Sequence, residues 1–143
     1  MVTDASLWVG YFLAEDRWHP AALEWVDRQL REGGRLVAPL LLLAEVGGAI
    51  SRRTGDSELG KSAVRAMLGW PRLELVAEEE LGRLVFQIAC DLKVPGADAL
   101  YIATAHRRSL PLITCDNHQI ELGRALVPVG RPGEPLQWPR SER

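Results

Sequence analysis

Short apolar runs alternate with longer helix-like segments along the 143 residues of this chain. Five runs have the length and composition of strands: residues 1–5, 35–38, 73–76, 110–115 and 126–129. Strands separated by helices of about ten to fifteen residues form βαβ units, which build a parallel sheet covered on both faces. The alternation therefore predicts a single α/β domain.

Capping residues and helix breakers place the helices between these strands. We predict helices at residues 7–13, 21–31, 39–53, 58–68, 78–92 and 97–108. Ser6 and Ser57 are the expected N-caps of the first and fourth helices, because a serine hydroxyl accepts backbone N–H groups there. The domain is expected to span residues 1–130, and residues 131–143, with their prolines and glycines, to form a loosely ordered tail.

The composition is that of an ordinary globular protein, with 47% hydrophobic and 25% charged residues. No apolar run approaches the roughly 20 residues of a membrane span, and no basic and apolar leader precedes Asp4. Two cysteines without metal-ligand spacing favour a cytoplasmic protein with reduced thiols. A net charge of −2 argues against a non-specific nucleic-acid coat, which needs clustered positive charge.

Four carboxylates interrupt apolar segments in which a lone charge is costly: Asp4, Glu45, Asp98 and Asp116. A buried carboxylate is strongly destabilising unless a partner or a metal ion compensates it. Asp4 and Asp116 close the first and fourth predicted strands, and sites in open α/β sheets form at that carboxyl edge. Asp98 falls in the first turn of its helix at the same edge, whereas Glu45 falls in the middle of a helix.

Two of these residues also have a structural explanation. An acidic residue in the position of Asp98 is stabilised by the helix dipole, by up to about 1 kcal/mol. Glu45 has Arg35 as its candidate partner, because Arg52 and Arg53 lie too far along the helix. Taken together, however, clustered carboxylates are stable mainly around a cation. Because all potential ligands are oxygens, we expect Mg²⁺ or Mn²⁺.

A carboxylate-held metal site favours hydrolysis of phosphodiesters, in which an activated water attacks in line with the leaving group. The chain contains no nucleophile elbow, P-loop or dinucleotide-binding motif. A phosphatase of the haloacid-dehalogenase type, with Asp4 as nucleophile, would need an aspartate at the position of Ser6. A catalytically inactive module that binds RNA or protein is the non-enzymatic alternative, although clustered like charge brings a pure binder no benefit.

Three motifs carry a family resemblance: Val-x-Asp-Ala-Ser-Leu-Trp at residues 2–8, Gly-Ala-Asp-Ala-Leu-Tyr-Ile-Ala-Thr-Ala at residues 96–105 and Leu-Ile-Thr-Cys-Asp at residues 112–116. With Glu45 in the helix after Pro39, they resemble the PIN-domain family, and within it the VapC-type toxins of toxin–antitoxin modules. The resemblance spans Val2 to about Val129. It implies a three-layer α/β/α sandwich with a short, mostly parallel central sheet, and Mg²⁺- or Mn²⁺-dependent endoribonuclease activity.

The resemblance also implies roles for individual residues. The family's catalytic and metal-binding quartet carries over onto Asp4, Glu45, Asp98 and Asp116. Ser6 and Thr114 match its small polar groups beside the metal. Asn117 stands where the family sometimes has a further acidic residue, which leaves the number of metal ions open. The implied partners are an RNA substrate, a cognate antitoxin that enters the active-site groove, and a second copy of the chain in a homodimer.

Basic and aromatic residues supply candidates for RNA contacts. Arg17, Arg52 and Arg53 are expected near the cleft, where positive charge positions phosphate groups. Trp8, Trp18 and Trp25 are either core or interface aromatics or platforms on which bases stack.

Overall fold

The computed structural model describes residues 1–139. In this range the strands are β1 Val2–Thr3, β2 Leu36–Pro39, β3 Leu73–Val76, β4 Leu112–Ile113 and β5 Val129–Gly130. The helices are α1 Ala5–Phe12, α2 His19–Glu32, α3 Leu41–Thr54, α4 Ser57–Leu68, α5 Glu78–Leu81, α6 Leu84–Leu92, α7 Gly96–Arg108 and α8 Asn117–Gly123. The strands form one parallel sheet in the order β3-β2-β1-β4-β5.

Helices cover both faces of the sheet, so the fold is the predicted three-layer α/β/α sandwich. Combined with the right-handed crossovers that parallel strands adopt, this strand order assigns α1 to α4 to one face and α5 to α8 to the other. Within these layers α1 packs against α2 and α3, whereas α7 packs against α5, α6 and the central strands. The direction of the crossovers reverses between β1 and β4. This reversal is a topological switch point, where open α/β sheets form their binding crevice.

The central strands are buried because helices lie above and below them. All four residues of β2 are buried, as expected for the continuous apolar runs of a parallel sheet. Trp8 and Trp25 belong to the core, and the indole N–H of Trp8 donates to the hydroxyl of Thr3 at 3.0 Å. This bond ties α1 to β1 and fixes the direction in which the chain leaves the sheet.

Two glycines allow α3 and α4 to pack closely. A Cβ atom added at Gly60 would lie 2.5 Å from the carbonyl oxygen of Gly47 and would also meet the hydroxyl of Ser51. That hydroxyl already donates to the Gly47 carbonyl at 2.7 Å. The contact between the two helices therefore depends on the missing side chain of Gly60.

The predicted N-caps of two helices are wrong. Asp4, not Ser6, caps α1 by accepting the N–H of Leu7 at 3.2 Å. Asp56, not Ser57, caps α4 by accepting backbone N–H groups from the first turn of that helix. In both cases an aspartate lies one or two residues earlier, in the extended conformation that an N-cap requires.

Other boundaries differ because of local backbone geometry. The helix predicted at residues 78–92 is divided into α5 and α6 by Gly82, whose φ of 51° a helix cannot accommodate. The strand predicted at residues 110–115 contracts to the two residues of β4. In the described residues no helix is long and apolar enough to cross a membrane.

The segment after β5 is folded back on the domain as far as it is described. The backbone of Gln137 exchanges hydrogen bonds of 2.9 and 2.7 Å with Val129, and Leu136 packs against the core. The first part of the predicted loose tail is therefore ordered. Residues 140–143 lie outside the described range, and the division into a domain of residues 1–130 and a tail stays a prediction.

Candidate active site

The pairing of β1 with β4 brings two predicted site residues into contact. Thr3 pairs with Ile113, so the residues that follow each strand lie side by side at the carboxyl edge. There the hydroxyl of Thr114 donates to Oδ2 of Asp4 at 2.6 Å. The 110 residues that separate them in sequence are bridged by the register of two central strands.

Two hydroxyl groups link Asp4 to the turn after β4. Ser6 donates to Asp4 Oδ1 at 2.8 Å and accepts the N–H of Cys115 at 2.8 Å. Thr114 makes the matching pair of bonds, since its oxygen accepts the N–H of Asp116 at 3.0 Å. Each hydroxyl therefore has a donor and an acceptor, and together they fix the turn that carries Asp116 against the carboxylate of Asp4.

Asp4 is the buried member of the quartet, with 5% of its surface exposed. Burial raises the pKa of its carboxyl group to about 7, because the charged form loses its hydration. Hydrogen bonds from Thr114, Ser6 and the Leu7 amide oppose this rise, and the charge of Asp116 adds to it. Proton loss from Asp4 therefore falls within the physiological pH range.

Asp98 lies in the first turn of α7 and is half-buried. Burial is the largest cause that raises the pKa of its carboxyl group. The negative charges of Asp116 and Glu45 raise this pKa further, while His118 opposes the rise. The electrostatic coupling shows that α7 brings Asp98 to the same edge as the strand-end carboxylates. The dipole explanation for an acidic first-turn residue remains compatible with this position.

Gln119 is a residue that the sequence did not reveal. It lies in α8 with 1% of its surface exposed, and its amide nitrogen approaches Asp98 Oδ1 at 3.5 Å. Its own N–H donates to Asp116 Oδ1, so Gln119 connects two members of the quartet. Within residues 1–139 its buried Oε1 atom has no hydrogen-bond partner. A polar residue three positions after Asp116, beside apolar Ile120, was the only available signal.

Glu45 lies in the middle of α3 and is half-buried. Its Oε2 atom accepts a hydrogen bond of 2.5 Å from the phenolic oxygen of Tyr101 on α7. Burial and this hydrogen bond raise the pKa of Tyr101, so the phenol stays protonated as the donor. The expected structural partner, Arg35, instead forms an ion pair with Glu74. The predicted pairing of Arg35 with Glu45 was wrong because β2 and β3 are adjacent strands, which brings Arg35 next to Glu74.

Asp116 is exposed, unlike the other three carboxylates. Its Oδ1 atom caps α8 by accepting the N–H groups of His118 at 2.7 Å and Gln119 at 3.0 Å. Within the described range Oδ2 accepts no hydrogen bond. Asp116 therefore uses one oxygen to hold the helix and presents the other to its surroundings.

A groove of about 880 Å³ opens beside these carboxylates. Its lining includes the predicted site residues Ser6, Arg17, Glu45, Arg52, Arg53, Asp116 and Asn117. Asp4 and Asp98 do not line it; Asp4 lies beneath Ser6. Arg53 is held by an ion pair of 2.5 Å with Asp16, another lining residue that the sequence did not single out. Trp18 lines the groove, whereas Trp8 and Trp25 lie in the core.

The donor set of the site suits a hard divalent cation. All four acidic side chains offer oxygen atoms, which Mg²⁺ and Mn²⁺ prefer, and burial, with repulsion between the carboxylates as a smaller cause, raises the pKa of Asp4 and Asp98. Over residues 1–139, no three side chains of His, Cys, Asp or Glu are grouped closely enough to hold a metal ion alone. A cation at this site would therefore need further oxygen ligands, such as the waters that Mg²⁺ usually keeps.

One thiol, that of Cys115, lies at this edge of the sheet. Cys115 lies between Thr114 and Asp116, and burial raises the pKa of its thiol to about 12. Because the thiolate is the reactive form, Cys115 is inert near neutral pH.

The fold is shared with several solved structures. The toxin VapC20 of Mycobacterium tuberculosis, described as cleaving the sarcin–ricin loop, superimposes with a TM-score of 0.69 at 17% identity, covering 85% of this chain and 94% of that one. VapBC2 of Rickettsia felis, bound to a promoter DNA fragment, gives a TM-score of 0.69 at 14% identity and covers 91% of this chain and 96% of that one. PAE2754 of Pyrobaculum aerophilum gives a TM-score of 0.62 at 18% identity and covers 88% of this chain and 81% of that one.

The sequence match identifies the family. The model of the PIN domain matches residues 1–125, which is most of the chain. This chain therefore belongs to the PIN-domain family, as its motifs predicted. A comparison with curated protein sequences finds no match.

Proposed function

We propose that this chain is a Mg²⁺- or Mn²⁺-dependent endoribonuclease. The observation that carries the proposal is the junction of β1 and β4, where Asp4 and Asp116 follow adjacent strands at the switch point of the sheet. Asp98 is electrostatically coupled to Asp116 and to Glu45, which completes the cluster. Membership of the PIN-domain family supports the assignment of this cluster as a nuclease site.

Each residue of the cluster has a distinct role in this proposal. Asp4, Glu45, Asp98 and Asp116 would hold the cation together with oxygens of water and substrate, and the bound cation would supply a Lewis acid that lowers the pKa of a bound water. Asp116, whose Oδ2 accepts no hydrogen bond from residues 1–139, is our candidate for orienting the attacking water. Ser6 and Thr114 keep Asp4 in one orientation through their hydroxyl groups.

Asn117 has a supporting role rather than that of a second-metal ligand. Its side-chain oxygen accepts a hydrogen bond from Arg131, so that oxygen is already engaged. An amide is also a weaker ligand than the carboxylate that sometimes occupies this position in the family. We therefore propose a single cation at the site.

The proposed substrate is RNA with an unpaired region at the cleavage site. Arg17, Arg52 and Arg53 line the groove and supply positive charge for the backbone, although the charge of Arg53 is offset by Asp16. Sequence-specific recognition of RNA by proteins uses mainly unpaired loops and bulges. The likeness of the fold to VapC20, a toxin described as cleaving the sarcin–ricin loop, agrees with this substrate class.

We further propose that the chain is the toxin of a toxin–antitoxin pair in the cytoplasm and forms a homodimer. The VapC-type motifs around Asp4, Asp98 and Asp116 support this role. The cognate antitoxin would enter the groove and block it. Expression of the chain alone should arrest growth, and co-expression of a small neighbouring gene should relieve the arrest. A harmless product would contradict the toxin role.

Cleavage of RNA tests the enzymatic proposal. The wild-type chain should cleave single-stranded RNA in the presence of Mn²⁺ or Mg²⁺ and lose this activity in EDTA. Asp4→Asn and Asp98→Asn should each reduce cleavage at least about 100-fold, since the cation that both would help to hold contributes several kcal/mol of transition-state stabilisation. Asp91→Asn, at an exposed carboxylate on α6, is the matched control and should cleave normally.

Full cleavage by both site variants would contradict the proposal. The alternative, an inactive module that binds RNA or protein, predicts that the wild-type chain cleaves nothing and binds no Mn²⁺ at millimolar concentration.

A further inference from the structure

An aromatic side chain at the rim of the groove lies against two arginines. The guanidinium carbons of Arg17 and Arg131 lie 5.0 and 5.2 Å from the centroid of the Trp18 ring. At these distances the cations are attracted to the ring, and the attraction restricts how the guanidinium planes lie. Arg131 comes from the segment after β5, beyond the residues that the family model matches.

Arg131 is fixed at the same edge of the sheet as the carboxylates. It follows Gly130, the last residue of β5, so it leaves the sheet where β1 and β4 also end. One of its Nη atoms donates to the side chain of Asn117, which directly follows Asp116, and the other donates to Glu134 at 3.3 Å. A fixed positive charge therefore lies next to the acidic cluster.

The hydrogen bonds of Arg131 do not use all its donors. Its Nε atom is buried without a hydrogen-bond partner in the described part of the chain. Its carboxylate partner Glu134 is half exposed, and ion pairs of that kind contribute little in water. A guanidinium has five N–H groups in one plane, so stacking on a ring leaves donors at its edge. Arg131 therefore has N–H groups beyond those that Asn117 and Glu134 engage.

Arg17 supplies a second, more accessible charge. It is exposed, and among residues 1–139 it has no ion pair with a carboxylate. Arg53, another basic residue of the groove, is by contrast paired with Asp16. An RNA backbone that approaches the acidic cluster needs positive charge beside it to offset repulsion. Planar guanidinium groups suit phosphate oxygens because they bind them through two parallel hydrogen bonds.

We propose that Arg17, Trp18 and Arg131 form a phosphate clamp that holds the RNA backbone at a position flanking the reacting phosphate. The clamp rests on the proposed function for the identity of its ligand, and it adds a subsite formed by the segment after β5. Trp18 acts as a positioning residue that aligns the two guanidinium groups, rather than as a platform for a base.

Binding of RNA without cleavage tests the clamp directly. The probe is a fluorescein-labelled single-stranded RNA of mixed sequence, bound by the full chain carrying Asp4→Asn and followed by anisotropy over a series of KCl concentrations. In that background, Arg131→Gln should weaken binding about tenfold, as expected for a charged hydrogen bond. It should also reduce the slope of log affinity against log salt by about 0.7 for each phosphate that the protein no longer neutralises.

Further variants distinguish a phosphate clamp from contacts that only stabilise the fold. Arg17→Gln changes an exposed side chain and should reduce the salt slope by a similar amount without altering thermal stability. Arg131→Lys keeps the positive charge but not the parallel N–H donors of a guanidinium group. Its affinity for RNA should therefore fall between those of the parent and Arg131→Gln. Arg28→Gln, on the exposed part of α2 and paired with Glu24, is the matched control and should leave the slope unchanged.

The outcomes distinguish this inference from the proposed function. An unchanged salt slope in both Arg17→Gln and Arg131→Gln would overturn the clamp, even if the wild-type chain cleaves RNA. Equally, binding of an acidic peptide that depends on Arg131, while binding of RNA does not, would overturn it in favour of a protein ligand. A reduced slope would support the clamp even if the wild-type chain cleaved no RNA, a result that would overturn the proposed function alone.

Discussion

The hydroxyl of Thr114 donates to the carboxylate of Asp4 at 2.6 Å, across the join of the two central strands. The bond is buried, and the same hydroxyl accepts the N–H of Asp116. One threonine therefore orients a buried acid and the turn that carries an exposed one. This relationship holds the candidate site together, and it leads to the first prediction.

Thr114→Val should destabilise the chain and impair the site. Valine has a similar shape but leaves the Asp116 amide without its acceptor and Asp4 Oδ2 with the Ser6 hydroxyl as its remaining donor, which costs about 1–3 kcal/mol in total. Loss of a supporting hydrogen bond at a metal site typically reduces activity about 10- to 100-fold. Urea unfolding and RNA cleavage measure the two effects. Thr104→Val, at a buried threonine bonded within α7, is the control and should retain activity.

The stability of the metal-free chain should fall as the pH rises from about 4 to about 7. The pKa of Asp4 is about 7 in the folded state against an ordinary value of 3.8, so the folded state binds more protons across this window. Stability is therefore greatest below the unfolded pKa and decreases by on the order of 4 kcal/mol as the folded carboxyl ionises.

Asp4→Asn removes this titration. Its stability in EDTA should vary less between pH 4 and pH 7 than that of the wild-type chain, as followed by urea unfolding at several pH values. Asp91→Asn should keep the wild-type dependence. If Asp4→Asn and the wild-type chain showed the same dependence, burial of Asp4 would not be the cause.

Tyr101→Phe tests whether the phenol positions Glu45. The substitution removes the hydroxyl that donates to Glu45 and preserves the buried ring, so the fold should survive with a loss of about 1 kcal/mol. Released from this bond, Glu45 should support catalysis less well, and kcat should fall about tenfold with little change in KM. Tyr11→Phe removes a hydroxyl bonded to Asp27 outside the groove. Equal kinetic effects of the two variants would contradict the role of Tyr101.

Gly60→Ala should destabilise the contact between α3 and α4. The added methyl group would meet the Gly47 backbone, and overpacking of this kind costs about 1–3 kcal/mol. Gly96→Ala is the control, because a Cβ there meets nothing within 4 Å and alanine favours a helix. Thermal unfolding should show a lower midpoint for Gly60→Ala only. A normal midpoint would mean that the helices move apart at little cost.

Much of the fold follows from local signals in the sequence. The apolar runs that end in Asp4 and Asp116 predicted two strands and their carboxyl edge, because each run is buried between helices and stops at a charge. Asp4 rather than Ser6 as the cap of α1 was harder to foresee. Both side chains can accept backbone hydrogen bonds, and they differ in that Asp4 has the extended backbone of an N-cap whereas Ser6 lies within α1.

The parts that were missed depend on contacts between distant segments. Gln119 matters because α8 brings its amide to Asp98, and Arg131 matters because the segment after β5 reaches Trp18. Hydrophobic periodicity and the residues that begin or end helices contain no information on contacts between such distant residues. Strand order determines them, and the sequence predicted a parallel sheet without its order.

The central claim is that the four carboxylates form one divalent cation site. Anomalous diffraction from crystals soaked in Mn²⁺ locates the ion directly. The account predicts a peak at the carboxyl ends of β1 and β4, within ligand distance of Asp116 Oδ2, and no peak there in crystals of Asp116→Asn. A Mn²⁺ peak elsewhere, in a protein that cleaves RNA only with Mn²⁺, would contradict it.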